Sequence, residues 1–130
     1  MFIVPVYAGP SKIAGLGLFA TRDIQAGEKV WEFHPKIDIQ FTPDEWAALP
    51  AHVLANLEEH AWQSYPDGVI YYEATAGKYI NHAAPSNTDF TVEGVGYARV
   101  DIPVGTEITS DYREFMADWS HLPFVPPAHA

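Results

Sequence analysis

Asn81, His82 and Asn87 bracket a proline turn in the stretch Tyr79-Ile80-Asn81-His82-Ala83-Ala84-Pro85-Ser86-Asn87, between two apolar, strand-like runs. An amide pair around a turn rarely arises from core packing alone. Asn side chains bond nearby backbone, so Asn81 and Asn87 either tie the loop to itself or present polar groups to a ligand. Two other stretches accompany this one: Gly15-Leu16-Gly17-Leu18-Phe19-Ala20 upstream and Glu107-Ile108-Thr109-Ser110-Asp111-Tyr112 downstream. A glycine pair lets backbone approach a ligand closely, or simply makes a turn before the strand Leu18 to Ala20. It is not a dinucleotide fingerprint, because the third glycine is missing and Gly27 interrupts the helix that should follow. A tyrosine after Asp near a strand end is either a core phenol with a satisfied hydroxyl or a group turned on a substrate. The six His residues are scattered without metal-ligand spacing, so no metal centre is expected.

The elements that must position these groups are short. With 11 Pro and 9 Gly among 130 residues, many turns should separate small elements, which favours strands over long helices. The length suits one compact domain spanning residues 1–130. Phe2 to Tyr7 reads as an edge strand or bulge around Pro5, followed by a turn at Gly9-Pro10. Asp23 to Gly27 reads as a turn, and Lys29-Val30-Trp31-Glu32-Phe33 alternates as a half-buried strand should. The same grammar returns at Val100 to Ile108, the one internal echo in the chain. Thr42-Pro43-Asp44-Glu45 is a helix start, with Thr as cap, Pro in the first turn and Glu reaching back. Trp46, Leu49, Val53 and Leu57 form a helical stripe that core packing would explain, and Pro50 should divide it into two helices. Val69 to Glu73 reads as a strand, and Thr91 to Val100 as one or two strands around a glycine turn.

Composition narrows the function. The absence of cysteine excludes disulfides, iron-sulfur clusters and thiolate zinc sites. A net charge of −10 argues against direct nucleic-acid binding, and serves either solubility or attraction of Lys-rich proteins. Met1 to Tyr7 lacks the basic flank and length of a signal, and no run reaches the roughly 18 residues of a membrane helix, so a soluble cytoplasmic protein without a membrane association is expected.

In this order the three stretches resemble the SET-domain protein-lysine methyltransferases, whose pattern runs from G-x-G through N-H-S-C-x-P-N to E-L-x-Y-D-Y. The matches are Gly15 and Gly17, then Asn81, His82 and Asn87, then Glu107, Thr109, Asp111 and Tyr112. The segments 21–28 and 98–107 are similar to the family's two R-D-I-x-x-G-E units, so the likeness covers about residues 10–112. It implies a mainly β, SET-domain (β-clip-like) fold of several small sheets. A short helical insert at about 42–62 and a threaded C-terminal segment belong to that fold, with a tail at 113–130.

The resemblance also implies S-adenosylmethionine as cofactor and methyl transfer to the side-chain amine of lysine in a basic protein substrate. Gly15, Leu16 and Gly17 would lie against the donor, Asn81 and His82 would grip it, Lys78 could pair with its carboxylate, and Tyr112 would be both donor contact and catalytic residue. A lysine amine has a pKa near 10.4. An apolar channel and a cationic sulfonium would both favour its neutral form. Direct displacement then needs positioning and matched electrostatics, with no metal. Ala83 and Ala84 replace the family's Ser and Cys, and Pro85-Ser86 inverts the order before Asn87, which implies a shifted loop path. Ser110 stands where the family places a channel aromatic. Either the channel is wider and tolerates higher methylation states, or a ring comes from elsewhere, with Phe115, Trp119 and Phe124 as candidates for the substrate channel. The alternatives are a non-catalytic SET-fold module for binding or homodimerisation, and a methyltransferase acting on a small molecule.

Overall fold

A computed structural model describes residues 1–64 and 68–116 of the chain. Among them, ten short strands form three small sheets. The largest sheet has the order β1-β2-β10-β7, from Val6–Pro10, Leu16–Ala20, Glu107–Ser110 and Asn81–His82. The second joins β3 (Lys29–Glu32), β9 (Val95–Ala98) and β8 (Thr88–Asp89). The third joins β4 (Asp38–Phe41), β6 (Ile70–Glu73) and β5 (Trp62–Gln63). Leu18, Ile24, Val30, Ile102 and Ile108 are fully buried and centre one core, with Phe2, Val4 and Trp31 packed among them. This is the mainly β arrangement expected from the sequence.

The amino-terminal strand lies later than expected. β1 runs through Gly9 and Pro10, which pair with Gly17 and Leu16 of β2. Pro10 is tolerated there because β1 is an edge strand, whose outer side has no strand partner among the described residues to need an N–H. The turn falls instead at residues 11–15. Ser11 Oγ accepts from the N–H groups of Ile13 (2.9 Å) and Ala14 (3.4 Å), and Gly15 takes a positive φ of 44°. Phe2 forms only an isolated bridge with Trp31 and sinks its ring into the core. β3 also departs from simple alternation: Val30 and Trp31 are both buried, because the register against β9 shifts between Lys29 and Trp31.

The two echoing units bind each other. Ile24 and Ile102 exchange both backbone hydrogen bonds, at 2.9 and 2.8 Å. Asp101 accepts from Ala26 N–H at 2.8 Å, while Asp23 accepts from Val104 N–H at 2.9 Å. Each Asp thus caps the turn of the other unit, and Gly27 and Gly105 close the turns at φ 85° and 81°. Asp23→Ala and Asp101→Ala should each lower unfolding free energy by roughly 0.5–1.5 kcal/mol in urea titrations. Similar losses from the two variants are expected, since the two bonds are equivalent.

The insert forms as its sequence prescribes. In α1 (Pro43–Ala47), Thr42 and Glu45 make the reciprocal cap at 3.1 and 2.9 Å. Pro50 separates it from α2 (Ala51–Leu57). Neither helix buries a residue, so Trp46, Leu49, Val53 and Leu57 are half-buried surface rather than core. Ring contacts of Phe41 with Trp46 and of His60 with Tyr79, both at 5.3 Å, attach the insert to the sheets. No helix among the described residues is long and apolar enough to cross a membrane.

β10 carries the functional consequence of this topology. It pairs antiparallel with β2 through Glu107↔Phe19 and Ile108↔Leu18, and parallel with β7 through Thr109↔Asn81 and Ser110↔His82. Segments remote in sequence therefore lie side by side. A helical turn at Tyr112–Glu114 follows β10, and the rest of the expected tail lies outside the described residues.

Candidate active site

The side chains of Ser11, Asn81 and Glu107 form one knot behind the glycine loop. Ser11 Oγ lies 2.8 Å from both oxygens of Glu107. The Asn81 amide nitrogen reaches Ser11 Oγ (3.0 Å), Glu107 Oε2 (2.9 Å) and the carbonyls of Ala14 (3.1 Å) and Leu16 (3.2 Å). Two amide hydrogens shared over four acceptors hold the loop to β7. Gly17 serves this knot: a Cβ there would collide with the Glu107 carboxylate, whereas a Cβ on Gly15 would meet open space. The second glycine thus admits a carboxylate of the chain itself, and the first admits the left-handed turn. Leu16 between them is 47% exposed.

Asn87 works in a similar way on β10. Its amide donates to Glu107 O (2.8 Å) and its carbonyl accepts from Thr109 N–H (2.9 Å), so one side chain imitates a paired strand. Neither Asn81 nor Asn87 ties the loop to itself. Both join it to distant segments, and the intervening Ala84-Pro85 peptide is cis.

His82 and Tyr112 meet directly. His82 is buried, and its Nδ1 accepts from the Tyr112 backbone N–H at 3.0 Å, which places no proton on that nitrogen. The two rings are 5.1 Å apart. The Tyr112 hydroxyl donates to Ile80 O at 2.5 Å, one residue before Asn81. Burial, and next the charge of Glu107, push the phenol well above its ordinary range, so it remains protonated.

Tyr112 lines a cavity of about 590 Å³, together with Lys78, Ile80, Ser110, Trp62 and Phe115. Of the residues singled out from the sequence, Lys78, Ser110, Tyr112 and Phe115 face this space, while Gly15, Leu16, Gly17, Asn81 and His82 are not on its wall. Trp119 and Phe124 lie outside the described residues. Lys78 Nζ sits over the rings of Tyr72 (5.7 Å) and Tyr79 (5.3 Å) and forms no ion pair with a described carboxylate. Ser110 is fully buried, and its Oγ has no hydrogen-bond partner among the described residues. Phe115, one of the rings weighed for the channel, lines the same space, 6.0 Å from both Tyr112 and Trp62.

Two groups escaped the sequence reading. Ser11 carries no local signal of its role, and its partner Glu107 is 96 residues away. Glu73 also lines the cavity, at 2% exposure, accepting from Trp31 Nε1 (3.2 Å) and Thr75 Oγ1 (3.1 Å) beside the Met1 ammonium (3.6 Å). A carboxylate ending an apolar β run was the available signal. Burial raises the Glu73 carboxyl above its usual 4.5 despite the nearby ammonium. The folded state therefore holds this proton more tightly than the unfolded chain, and its contribution to stability declines as pH rises from about 4.5. Glu73→Gln, compared with the parent in urea titrations at several pH values, should reduce that decline.

Three small sheets, with an Asn-His strand parallel to a strand leading into Asp-Tyr, define a domain of the SET type. The family model described as SET domain matches residues 15–113, and the chain belongs to that family. Among solved structures, the Polycomb Repressive Complex 2 of Chaetomium thermophilum in an autoinhibited conformation bound to S-adenosylmethionine is similar at 24% identity and a TM-score of 0.63. That match covers 88% of this chain and 16% of that one. A humanized mutant of the same complex bound to an inhibitor gives 24% identity and a TM-score of 0.64, over 90% and 16% of the two chains. A candidate histone methyltransferase of Plasmodium falciparum gives 21% identity and a TM-score of 0.58, over 89% of this chain and 96% of that one. The chain thus spans about 16% of the Polycomb chains and nearly all of the Plasmodium one. No curated protein matches it by sequence.

Proposed function

We propose that this domain transfers a methyl group from S-adenosylmethionine to the side-chain amine of a lysine in a protein substrate. The observation that carries this reading is the Tyr112 phenol: kept neutral by burial, directed at Ile80 O, and set in a cavity wall beside the Asn81–His82 strand. Membership of the SET family, and the presence of S-adenosylmethionine in one similar structure, support methyl transfer as the reaction class.

The residues present suit the donor. Lys78 is a cation on the cavity wall without a described carboxylate partner, matched to the donor's own carboxylate. Gly15 leaves open space over the loop that Asn81 straps down. When bound, the donor supplies an electrophilic methyl on a sulfonium. The chain's residues exclude water, favour a neutral amine and hold it in line. Apolar walls at Trp62 and Phe115 disfavour an ammonium ion, while Ile80 O and the Tyr112 oxygen offer weak C–H···O acceptors to a methyl group. Phe115 and Ser110 both line the cavity, and the small Ser110 side chain suits a channel that accepts more than one methyl on the amine. The net charge of −10 suits a Lys-rich protein partner.

The test has two readouts. Donor at millimolar concentration should raise the melting temperature, and labelled donor should transfer methyl to basic proteins such as histones or ribosomal proteins. If donor and product both leave the melting curve in place, the proposal fails. The cavity volume also falls in the range of small-molecule sites. Label recovered only in metabolites would therefore move the reading to a small amine, and donor binding without transfer would favour a non-catalytic module.

A further inference from the structure

Among the described residues, four carboxylates belong to the cavity wall: Glu59, Glu73, Glu93 and Glu114. Each opposes an amine that must lose its proton, because a negative charge nearby favours the ammonium form. Glu59 and Glu93 are exposed, so water screens them. Glu73 is buried beside the Met1 ammonium, and burial raises its carboxyl toward the neutral form. Glu114 is handled differently. It sits in the helical turn of Tyr112, its side chain is 13% exposed, and its Oε1 accepts from Phe90 N–H at 3.4 Å. The Arg99 guanidinium donates to its Oε2 at 2.8 Å. Arg99 is not on the cavity wall. It is fixed by its neighbours in the second sheet: the same guanidinium nitrogen donates to Thr88 O at 2.9 Å, the backbone N–H donates to Asn87 O at 2.9 Å, and Asp89 lies 3.9 Å away. Arg113, the other cation near Glu114, is paired with Asp111.

We propose that Arg99 is a positioning residue for the reaction: by holding and neutralising Glu114, it keeps the cavity wall from retaining the substrate lysine as an ammonium ion. The inference rests on the methyl transfer proposed above and gives a role to a residue outside the cavity. Arg99 is 40% exposed in its side chain, so the ion pair itself adds little to stability. Its electrostatic effect reaches further. Without Arg99, the charge of Glu114 stands uncompensated two residues from Tyr112. At an effective dielectric constant of about 20, such a charge shifts the titration of an amine about 10 Å away by about one pH unit. The other ionisable groups of the wall, Glu59, His60, Glu73, Lys78, Glu93 and Tyr112, are common to the parent and its variants. The difference between parent and variant therefore reports the pair alone.

The test follows rate against pH for the full chain with labelled donor and mixed histones. The acidic limb of that profile, where the substrate amine gains its proton, should move up by about one pH unit in Arg99→Gln. The rate near neutral pH should fall about tenfold and recover at high pH. Adding Glu114→Gln removes the stranded charge and should return the limb to the parent's position, as should Arg99→Lys in place of Arg99→Gln. A pair that merely held the turn would be broken in the double variant as in the single one, with the rate lowered equally at every pH. A limb unmoved by Arg99→Gln, or still displaced in the double variant, would overturn the proposal. Should Arg99→Gln fold poorly in urea titrations, Glu114→Gln decides alone: it strands the cation instead, and the limb must move to lower pH. If the unaltered chain transfers no methyl, the proposed reaction fails, and binding then tests Arg99 by itself. Nα-acetyl-lysine methylamide and its norleucine counterpart are titrated near neutral pH by tryptophan fluorescence. Arg99→Gln should raise the ratio of lysine to norleucine affinity about tenfold. An unchanged ratio, or no saturation at millimolar concentration, would overturn the inference.

Discussion

Tyr112→Phe should reduce methyl transfer about 10²–10³-fold while leaving the donor's effect on the melting temperature intact. The magnitude is that of removing one preorganised polar group from a reacting centre. The lost hydroxyl donates to Ile80 O at 2.5 Å, so the variant frees that carbonyl and removes an oxygen from the cavity wall together. The ring itself stays in place through its neighbours His82 and Phe115. Only about 1 kcal/mol of stability should be lost with the hydrogen bond. The kinetic signature is a fall in kcat with KM little altered, read by initial rates with labelled donor. A matching fall in Tm and in donor binding would instead mark Tyr112 as a core residue. Because burial holds the phenol protonated, the pH–rate profile should show no loss of this proton across the neutral range.

Asn81→Ala should cost about 2–3 kcal/mol, measured by urea unfolding, and weaken donor binding at least about tenfold. The amide restrains the glycine loop through Ala14 O and Leu16 O and neutralises one oxygen of Glu107 by hydrogen bonding. Its removal leaves a half-buried carboxylate with Ser11 as its remaining described side-chain donor. Asn81→Asp is the sharper test. It keeps the shape but turns the donor into a charged acceptor facing Glu107, so it should destabilise more than Ala at neutral pH. If Asp is tolerated as well as Asn, the knot is not what holds the loop.

These expectations show which parts of the molecule were written locally. The cap at Thr42 and Glu45 and the break at Pro50 depend on residues a few positions apart, and the sequence declared both. The motif order placed Tyr112 beside Asn81 correctly, because β10 and β7 align the segments that carry them. Local signals misled where tertiary contacts decided. Gly9-Pro10 has turn residues yet lies in a strand, since β2 offers it a partner and the outer edge makes no demand on Pro10. The stripe from Trp46 to Leu57 has core periodicity yet stays half-buried. The reason for Gly17 lies 90 positions away in Glu107, so a one-dimensional reading could take it only for a ligand's requirement.

The reciprocal clasp between Ile24 and Ile102 has a consequence for synthesis. On a translating ribosome the first hook emerges some 75 residues ahead of its counterpart, and β2 must wait with an unfilled flank for β10. The nascent chain therefore cannot close by stages. It must be kept from pairing with other chains until β10 is free.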